Sequence, residues 1–266
     1  MYVKVGGDEE MNILLDMITS GYCELEFNIY VVQPGISKKV IEKETEHLKL
    51  LGATDLLLKK TGNNLTHIYH KSKEKKWNIT IASPKGGHVP IDPESLKPLV
   101  LDKISKEYYE DPLFMEELNH SKNLYEVISE SFDCVYLAGG HATMYDFPDD
   151  ENIKEIISQQ YEHGKMVAAI CHGVGGLLNV RLSNGEYMIE NKSMTGFDWF
   201  EETIARRKRE VPFNLEAAIK ERGANLKKAF IPMTSNVVVD GNLVTGQNPF
   251  SSKEMAKVVV EQLEKI

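Results

Sequence analysis

From Trp77 onward, short apolar runs rich in β-branched residues alternate with amphipathic stretches, the pattern of helices packed on a mostly parallel sheet. Residues 78–82, 134–137 and 166–170 are the buried-strand candidates. Between the last two, residues 152–160, extended to His163, read as a helix; Asp149, Asp150 and Glu151 bring negative charge to its N-terminus and Gly164 closes it. Ser83-Pro84-Lys85-Gly86-Gly87, continuing through Pro90, Asp92 and Pro93, is turn chemistry and predicts a long loop. Downstream, residues 212–223 read as a helix with a glycine stop. Residues 236–239 and 242–245 form a hairpin across Asp240-Gly241, a pair that favours a type I′ turn. A last amphipathic helix over 251–265 carries Met255, Val258, Val259 and Leu263 at helical spacing.

The first sixty residues are less apolar. They hold Gly6-Gly7, a strand over 27–32, a Pro34-Gly35 turn and a charged helix over 37–51. They are read as a separate, divergent α+β segment, residues 1–62, ahead of an α/β domain over 63–266.

A chain of 266 residues with 42% hydrophobic residues can fill one large core, or one ordinary core with a small companion. The net charge of −9 argues against nucleic acid and against an anionic membrane surface, both of which need a basic face. A small electrophilic metabolite is the more natural partner. Ala205-Arg206-Arg207-Lys208-Arg209 is accordingly read as a solvated helix face. Cys23, Cys134 and Cys171 are spaced for neither a disulfide framework nor a CxxC metal site, which suits a reducing cytoplasm. No export signal or stretch of eighteen apolar residues is apparent.

The chemistry concentrates at two strand ends. Lys165 to Ile170 is a buried strand that stops at Cys171-His172-Gly173-Val174-Gly175-Gly176, and helical-looking residues follow. A strand entering a helix through a glycine-flanked turn presents a nucleophile on a strained elbow. Backbone N–H groups and the positive end of a helix are expected to lower the Cys171 pKa and to hold an oxyanion. A free cysteine is otherwise most often a small buried hydrophobe, the reading kept for Cys134. The second strand end is Leu137-Ala138-Gly139-Gly140-His141. Adjacent glycines let backbone amides approach a ligand, and in a parallel sheet both ends lie at the carboxyl edge where ligands bind. Gly139, Gly140, His141 and Gly173 are therefore oxyanion or substrate-binding candidates. His141 either orients the substrate or bonds to backbone, and Trp199 and Phe200 either wall the pocket or fill the core.

Taken together these segments resemble the PfpI superfamily, also called class I glutamine-amidotransferase-like, in its heat-shock chaperone and glyoxalase III branch. The resemblance rests on residues 82–87 with 90–95, 138–144 with Asp146 and Pro148, 168–173, Thr195-Gly196-Phe197 with Glu201-Glu202, Val211-Pro212-Phe213, and 243–249. Order and spacing hold from about residue 64 to the C-terminus. The resemblance implies a flavodoxin-like α/β fold, a mostly parallel sheet sandwiched by helices. It implies Cys171 as nucleophile, His172 assisting proton transfer and the Gly140 amide in the oxyanion site. It also implies a glutamate on the first helix, where this chain has Asn64. Asparagine cannot act as a base, so Asp198 or Glu201 supplies the acid or the enzyme is impaired. Dimers are common in that family, which carries a homodimer over as an expectation. More distantly, Gly6-Gly7, Leu51-Gly52-Ala53 and residues 62–69 resemble the IIB domain of glucose-type phosphotransferase systems, with Cys23 opposite its phosphorylated cysteine, although the flanks and arginines depart from that pattern.

The activity so implied is glutathione-independent conversion of methylglyoxal, or a similar α-oxoaldehyde, into a hydroxy acid. It runs through a Cys171 hemithioacetal and an enediolate and needs neither metal nor organic cofactor. A deglycase acting on early sugar adducts would use the same thiolate. An amidotransferase or conventional cysteine hydrolase needs a histidine well downstream of the cysteine, and all eight histidines here lie at or before residue 172. The alternative from another class is a stress-responsive holding chaperone or a thiol redox sensor without turnover.

Overall fold

The structure is a computed structural model that describes residues 62–88, 102–205, 207–209 and 211–265. The expectations for the N-terminal segment, Cys23 included, and for the loop beyond His88 lie outside these residues.

Among the described residues, eight strands form three sheets. β1 (Ala82–Ser83) pairs in parallel with β2 (Lys122–Asn123). β3 (Cys134–Leu137) and β4 (Met166–Ile170) belong to the central sheet, while β5 (Ser193–Met194) pairs in parallel with β6 (Asn225–Leu226). β7 (Val237–Asp240) and β8 (Leu243–Gly246) complete the central sheet, whose order is β3-β4-β8-β7. There β3, β4 and β8 are parallel and only β7 runs opposite. Every residue of β3, β4 and β8 is buried, which is why the segments of β3 and β4 read as unbroken apolar runs.

The helices are α1 (Gly62–Glu74), α2 (Lys103–Tyr109), α3 (Pro112–Asn119), α4 (Leu124–Val127), α5 (Thr143–Asp146), α6 (Glu151–Glu162), α7 (Trp199–Ile204), α8 (Leu215–Glu221) and α9 (Ser252–Leu263). Among the described residues, no helix is long and apolar enough to cross a membrane. α6 packs on β3 and β4, and α9 packs on β4, β8, β7 and along α1. α1 buries Leu65, Ile68, Tyr69 and Ser72, an i, i+3, i+4, i+7 stripe that turns one face to the core. Tyr69 meets Tyr108 and Phe114 edge-on at 5.0 and 4.8 Å, which ties α1 to α2 and α3.

Some boundaries differ from the sequence reading. Pairing near the first strand candidate occurs at Ala82–Ser83, one residue past its expected end. α6 spans the expected region, with Asp150 capping Ile153 N–H and Gly164 at φ +73° ending it. α8 starts later than residue 212 because Asn214 is its cap. In the hairpin, Asp240 pairs with Leu243, so the loop is Gly241-Asn242. Only Gly241 has positive φ there, the signature of a type II′ turn rather than I′.

Asp146, on α5, buries Oδ2 without a hydrogen-bond partner among the described residues. Burial, helped by Asp150 and opposed by Lys85, pushes its carboxyl up to about 8. Because the folded chain holds this proton more tightly than the unfolded one, stability falls as pH rises from the ordinary value of 3.8 towards 8. Asp146→Asn is therefore expected to stabilise the fold at pH 8 by about 1–3 kcal/mol, the usual cost of an unsatisfied buried group. The gain should vanish near pH 4, as thermal unfolding at both pH values would show.

Candidate active site

In the central sheet Leu137 of β3 is in register with Ala169 of β4, so both strands end at one edge and Gly139 comes beside Cys171. Cys171 has φ +58°, a left-handed conformation that costs a non-glycine residue roughly 1–3 kcal/mol. It opens a 3-10 turn, Cys171–Leu177, directly from the strand. The two strand ends lie in backbone contact. A methyl group on Gly173 would lie 2.3 Å from the Ala138 carbonyl oxygen, and one on Gly139 2.5 Å from Cys171 Cβ. These two glycines thus hold the elbow against β3, a packing role the sequence reading did not give them. Gly140, at φ +140°, turns the chain into α5, and its carbonyl accepts from Thr143 Oγ1 at 2.6 Å.

Cys171 Sγ lies 3.3 Å from His172 Nδ1, and His172 Nε2 lies 2.8 Å from Glu202 Oε2. The other Glu202 oxygen, Oε1, lies 2.9 Å from His141 Nε2. One carboxylate therefore bridges two imidazoles. Burial by itself would raise the Glu202 pKa, but the charges and hydrogen bonds of His141 and His172 outweigh it and hold Glu202 well below the carboxylate range. An ionised carboxylate only accepts, so both imidazoles carry their proton on Nε2. The consequence is a bare His172 Nδ1 aimed at the thiol, ready to take its proton. Burial and the neighbouring His172 bring His141 down to about 4, against the pull of Glu202, so it is neutral at pH 7. His172 is packed between two rings, with His141 at 4.1 Å and Phe197 stacked at 4.3 Å.

The acids singled out from sequence are committed elsewhere. Asp198 caps α7 by accepting from Phe200 N–H and pairs with Lys228 at 2.9 Å. Glu201 Oε1 accepts from Gln247, Asn248 and the Met233 N–H, fixing the loop before β7 to α7. The carboxylate that reaches the dyad is the next residue, Glu202. In the sequence it stood only within the quoted Glu201-Glu202 motif, where Glu201 and not Glu202 was named as the candidate acid. Phe197, quoted there only within a motif, walls the site, whereas Trp199 is half-buried and Phe200 exposed. Arg207 is buried, not solvated: α7 ends at Ile204 and the Arg207 N–H bonds to the Glu202 carbonyl, bringing a positive charge near His141.

Asn64, on α1, is buried and lies against this cluster. Ser252 Oγ donates to its Oδ1 at 2.8 Å. Nδ2 is left facing Cys171, lowering the pKa of the thiol without closing a full hydrogen bond. The His172 backbone N–H also bonds the sulfur and lowers it. Burial nevertheless dominates, and with Glu202 and Glu201 it pushes the resting Cys171 thiol well up. That reverses the expectation drawn from the helix end: the resting group is a thiol, with His172 Nδ1 3.3 Å from its sulfur. Cys134 is buried in β3 with its pKa raised by burial, as a core residue should be.

Among the described residues, His141, His172 and Glu202 are the group whose donor atoms, all within 4.8 Å of one another, could hold a cation. Both imidazole Nε2 atoms lie within hydrogen-bond distance of the carboxylate.

The profile of the DJ-1/PfpI family matches residues 64–262. A probable glutathione-independent glyoxalase of Schizosaccharomyces pombe is 30% identical over 230 residues, covering 75% of this chain and 88% of that protein. Among solved structures, Rapid Encystment Protein 24 KDa of Francisella tularensis is 37% identical with a TM-score of 0.71, covering 76% of this chain and 88% of that one. Glyoxalase III of Candida albicans is 26% identical with a TM-score of 0.69, covering 75% and 86%.

Proposed function

The chain belongs to the DJ-1/PfpI family, and from that premise we propose that it converts methylglyoxal, or a similar α-oxoaldehyde, into a hydroxy acid without glutathione. The observation that carries this reading is the Cys171–His172–Glu202 relay at the carboxyl edge of the sheet. It is supported by relatives named as glutathione-independent glyoxalases in two yeasts.

His172 Nδ1 takes the Cys171 proton as the sulfur attacks the aldehyde carbon, and returns it to the aldehyde oxygen to give a hemithioacetal. Glu202 holds the imidazole in the required tautomer and stabilises the imidazolium while it lasts. The His172 N–H and the Gly140 turn are the oxyanion candidates. A carbon-to-carbon proton shift then gives a thioester of the hydroxy acid, and water releases the acid and the thiol. The reaction requires a free thiol, which fits a cytoplasmic setting, and its partner is a small aldehyde, with neither nucleic acid nor membrane involved; a homodimer remains the family expectation. Lactate appearing from methylglyoxal with glutathione absent, and ceasing once Cys171 is alkylated with iodoacetamide, is the expected result. A chain that releases no lactate would overturn the reading.

A second reading, a holding chaperone, is favoured by the exposed Phe230 and Ile231 next to a loop that Glu201 ties to α7, where Phe200 and Ile204 are exposed as well. Suppression of client aggregation that survives alkylation of Cys171 would support it. The redox-sensor form is disfavoured, since such a thiol is exposed and of low pKa whereas Cys171 is 3% exposed with a raised one.

A further inference from the structure

The proposed reaction needs a base for the carbon-bound proton of the hemithioacetal, and the groups around Cys171 are nearly all spoken for. Asn64 has no lone pair basic enough at neutral pH. His172 meets the sulfur with Nδ1 and Glu202 with Nε2. Both Glu202 oxygens hold imidazole N–H groups, Asp198 caps α7 and pairs with Lys228, and Glu201 holds three donors on Oε1 while its Oε2, without a partner among the described residues, is closed off in a fully buried side chain. His141 is different. Its Nε2–H is spent on Glu202, and no hydrogen bond reaches its Nδ1 among the described residues. Its ring lies 4.1 Å from that of His172, and its side chain is 13% exposed, against 1% for His172, so it is the more accessible of the two imidazoles.

We propose that His141 is a second catalytic base, the group that takes the carbon-bound proton of the hemithioacetal and returns it to the neighbouring carbon. The inference rests on the glyoxalase reading above. The aldehyde C–H bond breaks, its proton passes to His141 Nδ1, and its electron pair forms the double bond to the adjacent carbon, whose carbonyl becomes the enediolate oxygen. His141 then returns the proton to that second carbon, and the hydroxyl proton on the first moves to the oxygen on the second. The first carbon is thereby oxidised to a thioester and the second reduced to an alcohol, with no outside oxidant.

The shared carboxylate makes this division of work possible. Glu202 neutralises whichever imidazole is protonated, and the two are charged in turn: His172 while sulfur adds, His141 while hydrogen moves, and His172 again when water attacks.

His141→Asn tests this, because the amide still offers an N–H to Glu202 but no base. In the parent, methylglyoxal deuterated at its aldehyde carbon should react more slowly than the protonated form and leave part of its label on the carbinol carbon of lactate. In the variant, kcat should fall about 10²-fold or more, the contribution usual for a general base. Iodoacetamide should still alkylate Cys171 at the parent rate, and added imidazole should restore part of the turnover. An active parent with a variant whose kcat is unchanged would overturn the proposal and leave the glyoxalase reading standing. So would a variant that loses turnover and thiol alkylation together, since that is the mark of a structural role. A parent that makes no lactate overturns both.

Discussion

Glu202→Gln is expected to lower lactate formation by about 10³- to 10⁴-fold, the size of effect seen when the carboxylate of a Ser-His-Asp triad becomes an amide. Glu202 accepts from two imidazole N–H groups at 2.8 and 2.9 Å. Glutamine of the same shape has one accepting oxygen and one donating nitrogen, so only one imidazole can keep its Nε2 proton. If the amide nitrogen faces His172, that ring must move its proton to Nδ1, where it can no longer take one from Cys171. If it faces His141, the same inversion blocks the second base, and in either case the anion that steadies an imidazolium is gone. Rates of lactate release and of iodoacetamide alkylation separate these cases, because only the first should slow alkylation. Stability supplies an independent check. Glu202 has a depressed pKa in the fold, so its contribution is complete above its ordinary value of 4.5 and is lost as pH falls below it. The variant should therefore melt below the parent at pH 7, and the gap should close on acidification from about pH 4.5 downward. Activity within a factor of ten of the parent would show that Glu202 does not set the tautomer.

Why the sequence pointed to Asp198 and Glu201 instead is a matter of helix phase. α7 has only six residues, Asp198 is its cap, and successive side chains leave it about 100° apart. Glu201 and Glu202 are chemically alike and adjacent, yet one anchors a loop and the other bridges the histidines. Nothing local distinguishes them; the path of residues 229–248 does. The elbow was legible for the opposite reason. β4 is a continuous apolar run fixed by burial on both faces, and the glycines after it mark where backbone must touch backbone. The direction of the Cys171 pKa was not legible, because a helix end and a burial penalty act on the same sulfur with opposite sign and only the packing decides between them. The hairpin lies between these extremes: its strands were clear, and its loop slipped by one residue because Gly241 satisfies a turn as its first residue as well as its second.

Gly173→Ala should have the largest effect on the fold itself, a loss of about 3 kcal/mol or more. A methyl group there would sit 2.3 Å from the Ala138 carbonyl oxygen, 2.7 Å from the Leu137 carbonyl oxygen and 2.8 Å from the Ala138 carbonyl carbon. These atoms are the backbone at and just beyond the end of β3, paired to β4 in a sheet whose residues are fully buried, so no flexible side chain can yield. The only relief is to separate the elbow from β3, which moves Cys171 away from Gly139 and Asn64. The same turn contains its own control. Gly175 has nothing nearer than 3.8 Å to the position of an added methyl group and does not have positive φ. Gly175→Ala should thus be neutral or stabilising by up to about 1 kcal/mol through the unfolded chain. Urea unfolding of the pair reads the difference directly. A Gly173→Ala protein as stable as Gly175→Ala would mean that the elbow and β3 do not lie in the contact the structure gives them, and the relay built across that contact would have to be redrawn.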